Sequence, residues 1–386
     1  MVPVSQPPIH RGWVQVSGNE IVKVGSGNPD SPLTDLGDVA LLPRLVNAHT
    51  HLEFSDCNLP IGRPGTPLSV WIGQVVAARV QATPAQKATA IAQGIKESDD
   101  HGVGLIGEIT TPPCRYGPGL QGPQIHSFAE VLGLTQQRSD ERLAAAKQHL
   151  SVDPRAGLSP HAPYSTSRQV IQSCVDLAKR YQRSLAMHVA ESPAERELLT
   201  TGSGSFVGAL KELGAWQSGL FPWGSDPFSD LIDQLSLAER VLLIHGNDLS
   251  TTEIERLTRY PQMSVVYCPR THAFFGYQPH PVDRLLAAGV RVALGTDSRA
   301  SNPDLSVWGE VQYLLRRRAD VDPDAVIEMA TVGGADALGR PDLGRLQAGA
   351  MATFGLVRTQ ATTLDELYES FAEQGMQSFP GGELGH

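Results

Sequence analysis

His49-Thr50-His51 lies near the end of the stretch Pro43-Arg-Leu-Val-Asn-Ala-His-Thr-His-Leu-Glu53. The residues before the first histidine form a short, mostly apolar run, which is typical of a buried strand. Alternate residues of a strand point to the same face, so we expect the two imidazoles to lie side by side. Two histidines held in this way can begin a metal site.

Further along the chain, similar apolar runs alternate with helical patterns. Eight buried strands separated by helices predict an α/β fold, specifically a (β/α)8 TIM-type barrel. The predicted strands cover residues 45–51, 102–110, 125–132, 156–161, 184–190, 241–247, 263–269 and 291–297.

Both ends of the chain have a different character. Residues 13–43 and 344–357 contain short strand patterns interrupted by turns. We therefore expect a small β-sandwich domain built from residues 1–43 plus 340–386, with the barrel as one insertion over residues 44–339.

Polar residues stand where several of the predicted strands end. In a parallel barrel these carboxyl ends converge at one mouth, where active sites lie. The residues in question are His49, His51, His161, His188, His245 and Asp297.

Three of these histidines and the aspartate form a candidate ligand set. Imidazole nitrogens and a carboxylate oxygen suit one divalent metal ion, Zn²⁺ first, with Fe²⁺ and Mn²⁺ as alternatives. Taken singly, each residue has an ordinary structural interpretation, such as a hydrogen-bonded histidine or a helix cap. Their combination at strand ends of one polarity favours the metal site. The predicted ligands are His49, His51, His188 and Asp297.

Composition excludes several classes of function. The 386 residues carry a net charge of −10, which is unsuited to binding a phosphate backbone, so we expect no nucleic-acid partner. The sequence has no apolar stretch of about 18 residues and no signal-peptide pattern, so we expect no membrane association. The four cysteines form no CxxC pair, and a cytoplasmic location is the expectation.

The stretch from Pro43 to Glu53 and several later segments resemble the amidohydrolase superfamily, in its cytosine deaminase-like and chlorohydrolase-like branch. The resemblance covers about residues 13–357. It rests on His188-Val-Ala-Glu191-Ser, Leu243-Ile-His245-Gly, Tyr267-Cys-Pro-Arg270, Gly295-Thr-Asp297-Ser-Arg-Ala-Ser-Asn302 and Ser159-Pro-His161-Ala-Pro-Tyr164. The last segment is similar to the substrate-side loop of nucleoside deaminases. Cys268-Pro-Arg270-Thr, followed by Phe274-Phe-Gly, resembles aminofutalosine deaminase-like members, whose substrate is an adenine nucleoside bearing a benzoate group.

The resemblance implies a mononuclear enzyme that attacks its substrate with metal-activated water. Binuclear members carry a carboxylated lysine on the fourth strand, and no lysine lies between Lys147 and Lys179. The catalytic residues are then Glu191 as proton donor and shuttle, His245 as hydrogen-bond partner of the reacting centre, and Asp297 as proton acceptor. The alternative for Glu191 is an ordinary acidic residue at a helix start.

Four further residues are candidates for substrate binding. Arg270 and Arg299 follow the seventh and eighth strands and could hold a carboxylate or phosphate. The alternative is that each pairs with a local acid such as Asp304. His161 and Trp71 complete the candidates, with ordinary packing as the alternative for the tryptophan.

The resulting hypothesis is an aminohydrolase that deaminates a purine-type or related aminated heterocycle, including carboxylate-bearing adenine nucleosides, and releases ammonia. One alternative is a hydrolase with the same site that acts on an amide or imide ring, or on an alkylamino- or chlorotriazine. A remote alternative is a non-catalytic binding barrel. The expected partner is a small-molecule substrate, and the oligomeric state stays open, with a homodimer as one option.

Overall fold

The amino-terminal segment begins with a hairpin. The computed structural model describes residues 1–29, 32–80, 82–112, 114, 116 and 122–379. Gly12–Ser17 (β1) pairs antiparallel with Glu20–Ser26 (β2), and the next strand is Val39–Pro43 (β3).

The eight predicted barrel strands follow, and all of them are parallel to their neighbours. They are Leu45–Thr50 (β4), Val103–Thr110 (β5), Gln124–Val131 (β6), Gly157–Pro160 (β7), Leu185–Val189 (β8), Val241–His245 (β9), Met263–Tyr267 (β10) and Arg291–Leu294 (β11). Most of their residues are buried on both faces, as expected for strands flanked by helices. The TIM-type fold is therefore confirmed.

The two outer strands of this sheet, β4 and β11, are joined by the segment that follows β11. The backbone N–H groups of Thr296 and Asp297 both donate to the carbonyl of His49, each across 3.1 Å. The Asn47 side chain adds hydrogen bonds to Thr296 in both directions, of 2.8 and 3.1 Å. These bonds nearly close the barrel, and they bring Asp297 next to the first histidine.

Both chain ends share one small sheet. Phe354–Arg358 (β12) pairs antiparallel with β3 on one side and with Met376–Phe379 (β13) on the other. The β1–β2 hairpin joins this region through the hydrogen bond from Ile21 N to Ala350 O. The separate antiparallel sheets match the expected small sandwich, whereas its boundaries at residues 43/44 and 339/340 stay a prediction.

Helices connect the barrel strands and surround them. In the described part of the chain they are Leu68–Val80 (α1), Pro84–Asp100 (α2), Gln136–Val152 (α3), Arg168–Tyr181 (α4), Pro193–Thr201 (α5), Ser205–Glu212 (α6), Pro227–Leu235 (α7), Thr251–Leu257 (α8), Pro269–Phe275 (α9), Val282–Ala287 (α10), Val307–Arg317 (α11), Pro323–Met329 (α12), Val332–Ala337 (α13) and Leu364–Glu373 (α14). None of these helices combines the length and the apolar character needed to cross a membrane.

Candidate active site

The polar strand ends meet in one buried cluster. Nε2 of His51 lies 3.4 Å from Nε2 of His188, and Oδ1 of Asp297 lies 3.4 Å from Nε2 of His49. The ring of His245 is centred 5.7 Å from the ring of His49 and 5.4 Å from that of His188. The structure thus brings the predicted ligands and His245 together from β4, β8, β9 and the segment after β11.

The donor set of this cluster fits a divalent metal ion. Ligand atoms of His49, His188 and His245 lie within 4.8 Å of one another, and so do those of His49, His51 and Asp297. The side chain of His49 is fully buried, yet neither ring nitrogen has a hydrogen-bond partner among the described residues. A buried imidazole is rarely left without a partner, so this orphaned group indicates a ligand that the described residues do not provide.

Electrostatics keeps these histidines in the form that a metal requires. Burial lowers the pKa of His49, His51 and His245 well below the usual range, and it lowers the pKa of His188 to about 4. Neighbouring histidines contribute to these shifts. The imidazoles are therefore neutral near pH 7 and can offer lone pairs to a cation.

The orientation of His188 is fixed from outside the cluster. Its Nδ1 lies 2.8 Å from the carbonyl oxygen of His161, which can only accept a hydrogen bond. Nδ1 therefore carries the proton, and the lone pair of Nε2 faces His51. Such an outer hydrogen bond is typical of metal-binding histidines.

Glu191 lies between β8 and α5, directly before the capping residue Ser192 of that helix. Its Oε1 is 3.5 Å from Nε2 of His245, and its Oε2 accepts a hydrogen bond of 3.2 Å from the phenol of Tyr164. Burial, together with the charges of Asp297 and Glu195, raises the pKa of Glu191 well above the usual range. A buried carboxyl group whose pKa is raised in this way is suited to act as a general acid.

The backbone is strained where the site residues leave their strands. Ala190, His245 and Asp297 have φ angles of 54°, 72° and 54°, in the left-handed region that residues other than glycine rarely adopt. Such strain concentrates at functional sites, where the surrounding structure holds it in place. Ala190 directly follows β8, His245 is the last residue of β9, and Asp297 lies in the segment after β11.

The two arginines proposed for substrate binding are engaged within the protein. Arg270 binds the carboxylate of Glu310 at 2.7 Å and that of Asp304 at 2.7 and 3.1 Å, so Nε, Nη1 and Nη2 are all occupied. Arg299 donates from Nη1 to Glu97 and from Nε to a backbone carbonyl, each across 2.8 Å. These contacts favour the alternative in which both arginines pair with acids of the protein, although Glu310 and Glu97 are distant in sequence.

The other two substrate candidates occupy different positions. The ring of His161 is centred 4.8 Å from that of His188, and its Nδ1 lies 2.6 Å from Oγ of Ser165. Trp71 lies on α1, is 9% exposed, and donates its indole N–H to the carbonyl of Ile61. His161 therefore lies next to the histidine cluster, whereas the Trp71 side chain is mostly buried by packing against other parts of the protein. Substrate contact stays a prediction for both.

Two residues of this site were not assigned a role from the sequence. Tyr164 binds Glu191, and the hydroxyl of Ser301 donates to Oδ2 of Asp297 across 2.8 Å. Tyr164 lies three positions after His161, and Ser301 lies four positions after Asp297. This closeness in sequence to a predicted site residue was the signal that could have identified them. Because loop conformation decides where such side chains point, spacing alone could not assign their partners.

Comparison with known families agrees with this geometry. The family model described as "Amidohydrolase family" matches residues 40–376, which is most of the chain. The chain belongs to the amidohydrolase family. The resemblance seen in the sequence is thereby confirmed, and this amidohydrolase is a hydrolase that acts on carbon–nitrogen bonds.

Two curated relatives of this amidohydrolase are named as deaminases. Aminodeoxyfutalosine deaminase of Deinococcus radiodurans is 29% identical over 359 residues, which cover 85% of this chain and 81% of that protein. 5-Methylthioadenosine/S-adenosylhomocysteine deaminase of Moorella thermoacetica is 27% identical over 390 residues, covering 92% of this chain and 83% of that protein.

Solved structures show the same fold. Helicobacter pylori aminofutalosine deaminase, in complex with methylthio-coformycin, superposes with a TM-score of 0.84 at 23% identity, over 98% of this chain and 96% of that chain. An adenosine deaminase of Xanthomonas campestris, with bound zinc, gives a TM-score of 0.75 at 22% identity, over 99% and 90% of the two chains.

Proposed function

We propose that this amidohydrolase deaminates a 6-aminopurine nucleoside or a related aminated heterocycle and releases ammonia. The observation that carries the proposal is the position of Glu191. Its carboxyl group is buried, is held by Tyr164, and lies 3.5 Å from His245 at the edge of the histidine cluster. The named activities of both curated relatives support deamination as the reaction class.

A single divalent metal is held in this proposal by His49, His51, His188 and Asp297. The orphaned nitrogens of His49 and the neutral state of the imidazoles support this assignment. Bound there, the metal supplies Lewis-acid activation of water near neutral pH. Zinc is the proposed ion, supported by these ligands and by the zinc in the Xanthomonas structure.

Glu191 and Asp297 carry out the proton transfers in this proposal, and His245 supplies a hydrogen bond. Glu191 donates its proton to a ring nitrogen next to the carbon that bears the amine. Water attacks that carbon, and Asp297 accepts a proton from the water. His245 hydrogen-bonds the developing tetrahedral centre. Glu191, now a carboxylate, takes the hydroxyl proton of the tetrahedral centre and relays it to the amine, so that the carbonyl forms, the carbon–nitrogen bond breaks and ammonia leaves. The proton held by Asp297 then returns Glu191 to its acid form.

The proposal is tested by ammonia release from protein of assayed metal content. The substrate panel contains adenosine, 5′-methylthioadenosine, carboxylate-bearing adenine nucleosides, guanine, cytosine and aminotriazines. We expect release from the adenine nucleosides. No ammonia from any compound, with one metal bound per chain, would contradict the deaminase assignment and favour another leaving group.

Glu191→Gln is the matched variant for this assay, because it keeps the size of the side chain and removes its proton donor. We expect turnover to fall by at least about 100-fold while metal content stays at the wild-type level. Unchanged turnover would show that Glu191 is not the proton donor.

A further inference from the structure

A second buried acid, Glu195, lies beside the proposed proton donor and has no part in the proposed reaction. It is the third residue of α5, and its side chain is fully buried. Its backbone N–H donates to the hydroxyl of Ser192, the capping residue of that helix, across 3.3 Å. In a capping box the acid at this position binds the N–H of the capping residue. Here the carboxyl group of Glu195 reaches further back, to the two residues that precede Ser192.

The two carboxyl oxygens of Glu195 bind consecutive backbone N–H groups. Oε1 accepts a hydrogen bond of 3.1 Å from the N–H of Ala190, and Oε2 accepts one of 2.7 Å from the N–H of Glu191. Ala190 has a φ angle of 54°, in the left-handed region. Left-handed residues let successive N–H groups converge on one acceptor, which is a common way to bind a negative group. We call these two residues the 190–191 turn.

The carbonyl groups of the 190–191 turn are bound by the loop that follows β9. The carbonyl of Ala190 accepts a hydrogen bond of 2.8 Å from the backbone N–H of Asp248. The carbonyl of Glu191 accepts one of 3.0 Å from Nδ2 of Asn247. All four polar backbone groups of the turn therefore have partners, and both N–H groups are held by the one carboxyl group.

The 190–191 turn decides where the side chain of Glu191 begins. An alanine at this φ angle is strained, and it keeps the conformation only while its surroundings hold it. Loss of the acceptor would leave two buried N–H groups without partners and favour another conformation of the turn. The carboxyl group of Glu191, now 3.5 Å from Nε2 of His245, would then lose its place.

We infer that Glu195 is a positioning residue, which holds the 190–191 turn and thereby keeps the carboxyl group of Glu191 beside His245. The inference rests on the proposed function, because the role of Glu191 as proton donor belongs to that proposal. Burial raises the pKa of Glu195 to about 8, and the hydrogen bonds from Glu191 and Ala190 oppose that rise. The turn and the carboxyl group thus stabilise each other.

The first test is the steady-state kinetics of Glu195→Gln with the compound from which the wild type releases ammonia fastest. Glutamine keeps the size of the side chain and one acceptor oxygen, but its NH₂ group cannot accept the second N–H. We expect kcat to fall roughly 10- to 100-fold, because a small displacement of a catalytic group is costly. KM should change less than about threefold and metal content should stay at the wild-type level. An unchanged kcat, or a loss confined to KM, would overturn the inference.

A double-mutant cycle shows whether Glu195 acts through Glu191. In Glu191→Gln protein there is no proton donor left to position, so adding Glu195→Gln should lower the residual turnover less than about twofold. A loss as large as the one in the wild-type background would mean that Glu195 acts independently of Glu191, and the inference would fail.

Glu253→Gln is the matched control. Glu253 is also almost completely buried, is also the third residue of its helix, α8, and accepts a hydrogen bond of 2.7 Å from the N–H of Ser250. It is not bonded to the 190–191 turn, so we expect kcat to stay within about twofold of the wild type. A fall as large as in Glu195→Gln would indicate a general effect of losing a buried acid and contradict the specific role.

Hydrogen exchange of the Ala190 and Glu191 amides provides a readout that needs no substrate. Measured by mass spectrometry on zinc-loaded proteins, exchange at these two amides should be at least about tenfold faster in Glu195→Gln and unchanged in Glu253→Gln. Unchanged exchange in Glu195→Gln would overturn the inference whether or not the protein releases ammonia.

The two readouts together distinguish the inference from the proposed function. Faster exchange in Glu195→Gln, with no ammonia from any compound by the wild type, would support the hold of Glu195 on the turn and contradict deamination. Ammonia release by the wild type, with faster exchange but unchanged kcat in Glu195→Gln, would support deamination and overturn the positioning role.

Discussion

The phenol of Tyr164 donates a hydrogen bond to Oε2 of Glu191 across 3.2 Å, while Oε1 of the same carboxyl group faces His245. The two carboxyl oxygens therefore have different surroundings, one fixed by the protein and one beside the reacting centre. Burial raises the pKa of Glu191, and the hydrogen bond from Tyr164 opposes that rise. Tyr164 is thus a positioning residue that also moderates the acidity of the proposed proton donor.

Replacing Tyr164 with phenylalanine should move the pH dependence of deamination. Without the phenol, the pKa of Glu191 rises further, so the protonated acid persists to higher pH. The alkaline limb of kcat/KM should shift upward by about one pH unit. Tyr260→Phe is the control, because it removes a hydrogen bond to the carboxylate of Asp233 that is remote from the site. If the alkaline limb of kcat/KM does not move in Tyr164→Phe, the phenol of Tyr164 does not control the pKa of Glu191.

The metal assignment predicts a difference between two buried histidines. His49→Asn should lower metal content well below one ion per chain, because the orphaned imidazole is a central ligand in the proposal. His272→Asn should keep the wild-type content, since Nε2 of His272 already binds the carbonyl of Gln278 across 2.9 Å. Elemental analysis of both proteins after gel filtration provides the measurement. Equal metal content in the two variants would remove His49 from the ligand set.

The sequence was sufficient to predict the barrel and its mouth because both depend on local pattern. Buried strands are visible as apolar runs, and parallel topology places all their carboxyl ends together. The meeting of His49 with Asp297 follows from that topology, although almost 250 residues separate them.

Side-chain pairing was less predictable. Arg270 and Arg299 do follow strands seven and eight, as expected. However, the acidic residues that form ion pairs with them lie on distant segments of the chain. Glu310 reaches Arg270 from α11, and Glu97 reaches Arg299 from α2. Arg79 illustrates the converse, because nothing in the spacing of α1 indicates that its guanidinium lies beside Glu130.

Arg270 should prove important for stability. The carboxyl group of Glu310 is fully buried and depends on the guanidinium of Arg270 for compensation. Arg270→Gln leaves that acid without its charge partner and should lower the free energy of unfolding by about 3–5 kcal/mol in urea titrations at pH 7. Lys96→Gln, which breaks an exposed pair with Asp100, should cost less than about 0.5 kcal/mol. A stable Arg270→Gln protein with impaired substrate binding would instead favour the original substrate role.

Buried neutral histidines should make the fold sensitive to acid, and His280 allows a specific test. It is 1% exposed, lies 2.8 Å from the carbonyl oxygen of His245 through Nε2, and stacks on Tyr267 with ring centres 3.8 Å apart. Burial lowers its pKa to about 3, against the opposing effect of the hydrogen bond to His245. In the unfolded chain a histidine titrates near 6.5, so between these values only the unfolded state binds the proton.

Stability contributed by neutral His280 is therefore complete above about pH 6.5 and is lost as the pH falls toward 3. His280→Gln keeps an N–H donor for the carbonyl of His245 and removes the titration. Between pH 7 and pH 5 the variant should lose about 2 kcal/mol less of its free energy of unfolding than the wild type does. Urea unfolding of both proteins at the same metal content measures this difference. Parallel losses would show that His280 takes up its proton in the folded state as readily as in the unfolded chain.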